Sequence, residues 1–169
     1  MKRTAGTKRI FLDPTLLVGA FIEPFMRHLS SSRPSSASST HVEAAAARLH
    51  HAARAGDTRS VKTIVEASPC LLDVANEDGA TPLLLAAANG HASIVRLLLR
   101  ANADHDRCLA HGANPLYVSS AQGNSSVVSL LCSAHANPDH ATEDGSTPLL
   151  VAAAVGHEEA VGILLKAGA

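Results

Sequence analysis

Histidine, cysteine and acidic residues are the side chains of this sequence that could carry chemistry, and the 169 residues hold ten His and three Cys. The densest cluster is Asp104-His105-Asp106 with His111, followed by His135 and Asp139-His140. Imidazole and carboxylate are zinc ligands, but a zinc site needs three or four donors converging at about 2.0–2.3 Å. These residues fall on polar connectors where successive side chains alternate in direction, and no H-x-x-x-H or C-x-x-C spacing puts two donors on one face. No metal centre is expected. A thiol nucleophile would need a base beside it. Cys70 follows Pro69 in a connector, Cys108 is expected in a hairpin and Cys132 in a helix core, and nothing in the sequence pairs any of them with a His. No glycine-rich phosphate loop, paired-carboxylate motif or H-E-x-x-H is present, so neither catalysis nor a cofactor is expected.

Composition narrows the classes further. Hydrophobic residues make up 46%, yet the aromatic residues are three Phe and one Tyr, with no Trp. An interior of Leu, Val and Ala suits closely approaching helices and disfavours an aromatic-rich sandwich or a surface that stacks on bases. The formal net charge of -1 excludes strong global steering toward nucleic acid. Charge is nevertheless uneven: residues 1–40 hold six Lys/Arg against two acids, and residues 41–169 hold eight against thirteen. An odd, sparse set of cysteines argues for a reducing compartment, cytoplasmic or nuclear.

The run from Ser30 to Thr40, SSSRPSSASST, has nothing to bury and reads as a flexible linker that ends a mostly disordered segment, 1–40. Before it stands IFLDPTLLVGAFIEPFMRHL. Asp13 and Pro14 break the apolar stretch that a secretory signal would need, and the stretch is too short and interrupted to span a membrane. Its basic, Ser-rich character partly fits a mitochondrial presequence, against Asp13 and Glu23. The remaining readings are a mobile tail or a short apolar helix, Thr15 to Arg27, that docks on something.

The elements that must position the remaining residues repeat. Thr81-Pro82-Leu83-Leu84 follows Gly79, Asn114-Pro115-Leu116-Tyr117 follows Gly112, and Thr147-Pro148-Leu149-Leu150 follows Gly145, in steps of 33. Gly90, Gly123 and Gly156 keep that register, as do Leu97-Leu98, Leu130-Leu131 and Ile163-Leu164. A fourth copy lies upstream at an offset of 34, with Leu49, Gly56 and Val61 answering Leu83, Gly90 and Val95, the extra residue falling between Ala67 and Val74. Thr81 and Thr147 are predicted N-caps, with Pro82, Pro115 and Pro148 at the first helical position, and each glycine predicts a stop in the left-handed region. A second helix follows directly. Helices this short need neighbours, which accounts for the repetition. At the leading end, T-x-x-E from Thr40 to Glu43 is a capping-box pattern, and His41, Arg48, His51 and Arg59 give the first unit a polar outer side.

These motifs resemble the ankyrin repeat over about residues 46–169, in units of about 46–78, 79–111, 112–144 and 145–169. The resemblance implies an all-α fold: a solenoid of helix-turn-helix units with short β-hairpin loops, in an array spanning 41–169. The family's His after T-P-L is Leu84, Tyr117 and Leu150 here and is kept only as His50, with Tyr117 standing in for the inward His. His91 and His157 match the family's Gly-His turn, which implies a structural hydrogen bond. Asn114, Ser119-Ser120 and Gly123-Asn124 depart from the pattern and mark the third unit as the softest. The last unit ends in a face bearing Val161, Ile163, Leu164 and Leu165, which anticipates further repeats, a partner or self-association there.

What the resemblance implies about function is a non-catalytic module that binds another protein through the concave groove of hairpin tips and inner helices. Carried over by position, the groove comprises Ala75, Glu77, Asp78, Ala80, Ala88 and Asn89 in the second unit. The third offers Cys108, Ala110, His111, Ala113, Tyr117, Ala121 and Gln122, and the fourth Ala141, Glu143, Asp144, Ser146, Ala154 and Val155. Two acidic tips flanking a neutral one suit a partner with a basic patch. With Tyr117 the one large anchor, affinity is expected to be modest. The alternative assigns specificity to segment 1–40 as a targeting or docking element, the repeats being part of a larger adaptor, ligase-substrate receptor or channel.

Overall fold

A computed structural model describes residues 41–169 and the helical backbone of Thr40. The readings made for residues 1–39, and for the Thr40 side chain as a cap, lie outside the described residues. Eight α-helices follow in four pairs: α1 (Thr40–Ala55) and α2 (Thr58–Ala67), α3 (Pro82–Ala88) and α4 (Ala92–Arg100), α5 (Pro115–Ala121) and α6 (Ser125–Ser133), α7 (Pro148–Val155) and α8 (Glu158–Ala167). There is no strand among the described residues.

Local chemistry sets the helix ends. The Thr81 hydroxyl accepts from the Leu84 N–H at 3.2 Å, Asn114 Oδ1 from the Tyr117 N–H at 2.8 Å, and the Thr147 hydroxyl from the Leu150 N–H at 3.2 Å. Proline follows each cap at the first position, where no donor is required. The chain then leaves α3, α5 and α7 through Gly90, Gly123 and Gly156, at φ of 73°, 69° and 90°. In the first pair the extra residue is taken up by a 3₁₀ turn at Pro69–Leu71. His50 ties this connector back to α1, its Nε2 donating to the Val74 carbonyl at 2.7 Å.

The pairs stack in chain order. α1, α3, α5 and α7 form one layer, each against the next, and α2, α4, α6 and α8 form the other. Register positions pack on themselves: Leu49, Leu83 and Leu116 inside, then Val61, Val95 and Val128, then Leu98, Leu131 and Leu164, all fully buried. Each such side chain contributes about 1.5–3 kcal/mol when withdrawn from water, and a seven-residue helix has no other comparable source of stability. Polar pins lock adjacent pairs. His91 Nε2 donates to the Arg54 carbonyl at 2.9 Å, Asn124 Nδ2 to those of Ala87 and Ala88 at 3.0 and 3.2 Å, and His157 Nε2 to that of Ala121 at 3.1 Å. Because a carbonyl only accepts, Nε2 carries the proton in both histidines. The glycines lie under these pins: a Cβ on Gly56 would meet the His91 ring at 2.8 Å, and one on Gly123 the His157 ring at 2.5 Å.

The open end differs from expectation in which residues form it. Leu164 is fully buried at the junction of the last two pairs, and Val161 and Ile163 are half-covered. The large apolar side chains left exposed at this end are Leu165 and, on α7, Leu150, each 57% accessible; Val42 on α1 is exposed as well, at 62%.

Candidate partner-binding surface

Between the pairs, the connectors project three tips built on one plan. The Asn76 N–H donates to the Ala80 carbonyl at 3.0 Å, Leu109 to Ala113 at 3.0 Å, and Thr142 to Ser146 at 3.0 Å, and Gly79, Gly112 and Gly145 close each turn. The β-hairpin loops implied by the family pattern are thus hairpin turns closed by one ring of bonds, too short for a ladder. A bond from the Glu143 N–H to the His111 carbonyl at 3.1 Å joins the third tip to the second. Side chains stiffen them further: Asn76 Oδ1 accepts from the N–H groups of Asp78 and Ala80. Asp144 accepts the Thr142 hydroxyl, and that bond leads the causes that hold its carboxyl below the usual aspartate range.

The tips carry exposed Ala75, Glu77, Ala110, His111, Ala141, Glu143 and Asp144, with Asp78, Cys108 and Ser146 half-buried. At the ends of the inner helices, Asn89 and Ala154 are exposed, and Tyr117, Gln122 and Val155 are half-buried. Four of the groove positions require correction. Ala80, Ala88, Ala113 and Ala121 are buried, at 0%, 4%, 1% and 5%. Ala80 and Ala113 close the bases of their turns and Ala88 and Ala121 are covered by the following pair, so they set spacing instead of touching a partner. Tyr117 is half-buried, with its hydroxyl 3.5 Å from Ser146 Oγ in the next tip.

One pairing escaped the sequence. Cys108 Sγ lies 3.3 Å from His140 Nε2, across 32 residues. This is not a nucleophile with its base. His140 Nε2 is also 2.9 Å from the Gly112 carbonyl, so that nitrogen bears a proton and cannot take one. The thiol donates instead to the Asp106 carbonyl at 3.0 Å. Burial, and then the carboxylates of Asp106 and Asp104, push the Cys108 pKa up, away from the reactive thiolate. Cys132 is raised by burial as well, and Cys70 is exposed on the 3₁₀ turn. The His- and Asp-rich connectors do not converge either. Among the described residues no group of three or more His, Cys, Asp or Glu is placed to hold a metal. His105 Nδ1 sits 3.2 Å from Asp106 Oδ1, while His135 is exposed at a helix end with φ of 65°.

Four helical pairs, N-capped by Thr or Asn before Pro, stacked in order and pinned through a His or Asn in the turn, agree with the comparison to known families. A family model described as Ankyrin repeats (3 copies) matches residues 49–140 and 101–169. The chain belongs to this family. Ankyrin repeats are generally protein–protein interaction modules, typically non-catalytic. Among curated proteins, the chain is 44% identical over 59 residues to Ankyrin repeat and SAM domain-containing protein 6 of Danio rerio, a stretch covering 35% of this chain and 8% of that protein. The Mus musculus protein of that name is 41% identical over 59 residues, 35% of this chain and 7% of its own length. Cortactin-binding protein 2 of Ornithorhynchus anatinus is 42% identical over 59 residues, 35% of this chain and 4% of its own. The alignment therefore spans less than a tenth of these relatives. No helix among the described residues is long and apolar enough to cross a membrane.

Proposed function

We propose that this ankyrin array is a non-catalytic binding module whose specificity lies in its three tips, and that its partner is a protein presenting a basic patch. The supporting observation is the distribution of exposed groups. The inner helices α3 and α5 are buried by stacking almost throughout, and Glu77 with half-buried Asp78, and Glu143 with Asp144, stand on hydrogen-bonded turns on either side of the neutral tip at His111. Carboxylates at fixed separation on a rigid frame recognise spaced Lys or Arg residues without an ordering cost on the module's side. Anchoring aromatics are few, so electrostatics carries a large share of the affinity and the module works in a reducing compartment, cytoplasmic or nuclear.

The test is affinity capture with the wild-type chain and with a variant bearing Glu77→Lys, Asp78→Lys, Glu143→Lys and Asp144→Lys, each washed at low and high salt. Partners bound through the tips are lost from the variant and eluted by salt. Partners retained by the variant, or insensitive to salt, would refute the assignment. Fusion of residues 1–40 to a fluorescent protein separates this reading from the one that gives the N-terminal segment an address.

A further inference from the structure

On its leading side the stack has a groove that no described residue covers. Leu98, Leu131 and Leu164 share one register position and are fully buried, even in the last pair, so their cover comes from the pair before. In the first pair that position is Ile64, and it is only half-buried. Ile64 lines a groove of about 400 Å³ between α1 and α2, together with Ala47, Ala52 and Ala55 and the exposed Arg48 and His51. A cavity of roughly 150 Å³ accepts a benzene ring, so this groove has room for more than one aromatic side chain. Its polar residues tell against a helical pair of the array's own kind. Asp57 occupies the register of His91, Asn124 and His157, which donate to the preceding unit, yet its carboxylate accepts from the Ser60 N–H and hydroxyl. His51 and Ser60 stand where the second unit has buried Leu85 and Ile94. What fits is an amphipathic segment, with apolar side chains for Ile64 and the alanines and carboxylates for Arg48 and His51.

We propose that this groove is the docking site of the chain's own apolar stretch, residues 10–29, with Asp13 and Glu23 meeting Arg48 and His51. The stretch holds all three Phe of the sequence and both acids of residues 1–40, and Leu17, Phe21 and Phe25 recur four apart. The tether is long enough. Ser30 to Ser39 reaches at most about 33–36 Å when extended, and His51 lies about 17 Å along α1 from Thr40. Being on the same chain, the stretch meets the groove at a high effective concentration. The site shares no residue with the tips, so it stands apart from their assignment, and while seated the stretch is withheld from any other receptor. Exposed Val42 is not part of the site: it precedes His51 by nine residues, about two and a half turns, and so lies on the far side of α1.

The experiment uses the full chain with Cys70, Cys108 and Cys132 replaced by Ser and a single reporter thiol, Ala55→Cys in the groove or Val42→Cys outside it. Docking slows maleimide labelling at position 55 about tenfold relative to a chain that also carries Phe21→Ser and Phe25→Ser, as for a site closed about nine-tenths of the time. Labelling at position 42 is the same in both. Arg48→Glu removes the protection, and Asp13→Lys with Glu23→Lys in that background restores it. This second arm leaves every Phe in place, so it decides the matter even if the Phe variant misfolds. Protection is also independent of protein concentration. Equal labelling at position 55, protection at position 42 instead, or no restoration by the charge exchange overturns the proposal. Protection that grows with concentration gives the groove to a second copy and overturns it as well.

Discussion

Asn114 and Ser120 are both fully buried in the third unit, and each has a polar atom without a partner: Nδ2 of the amide and the serine hydroxyl. The sister units hold Thr81 and Thr147 at the first position and Ala87 and Ala153 at the second. Leaving a buried donor unpaired costs about 1–3 kcal/mol, so Asn114→Thr, which keeps the cap oxygen and drops the amide, and Ser120→Ala should each stabilise by about 1 kcal/mol, read as a higher urea midpoint. His50 gives the array a pH response. Burial is the larger influence on it and lowers its pKa below the ordinary value, while the bond to the Val74 carbonyl opposes. The unfolded chain therefore binds the proton more readily, and stability falls as pH drops from about 6.5 toward the folded pKa, then levels off. Subtracting the pH profile of His50→Gln from that of the wild type should isolate this fall. Asp57, held low chiefly by the Ser60 hydroxyl, and Asp144, held low by Thr142, act in a separate acidic window. Their contribution is complete above the ordinary aspartate pKa and is lost as pH falls through the depressed values.

At the level of helices, Thr81 and Thr147 do the same local job in different surroundings. Thr81 is buried at 1%, and its helix is covered on both sides; Thr147 is half-exposed on the last unit. Thr147→Ala should cost about 1 kcal/mol, the usual loss of a cap, and Thr81→Ala more, because the Leu84 N–H it leaves behind has no water to turn to. Paired thermal melts decide the order, and equal losses would show that burial adds nothing. These caps and the glycine stops were legible in the sequence because their chemistry is confined to three or four consecutive residues. The four buried groove alanines were not, since Ala88 and Ala121 differ from exposed Ala154 only in having a pair stacked beyond them. The contact of Cys108 with His140 was hidden for a related reason: it joins the tips of two units, and no local pattern relates residues 32 positions apart.

For the whole array, stability is a sum of pairs and the joints between them. The α3–α4 and α5–α6 pairs have a neighbour on each side, whereas α7–α8 has one and leaves Leu150 and Leu165 in solvent. Native-state hydrogen exchange should show the strongest protection in α3 to α6 and the fastest opening in α7 and α8. Uniform protection along the chain would mean that the array opens as a single unit. The register explains why the family was visible: 33-residue spacing survives because every unit must present the same apolar positions to the next. Against that constraint, the 3₁₀ turn at Pro69–Leu71 shows where freedom remains. It accommodates an added residue, and the helices on either side still meet in register. Lengthening is thus tolerated in the connectors, which can change by a residue while the joints that hold the stack upright go unchanged.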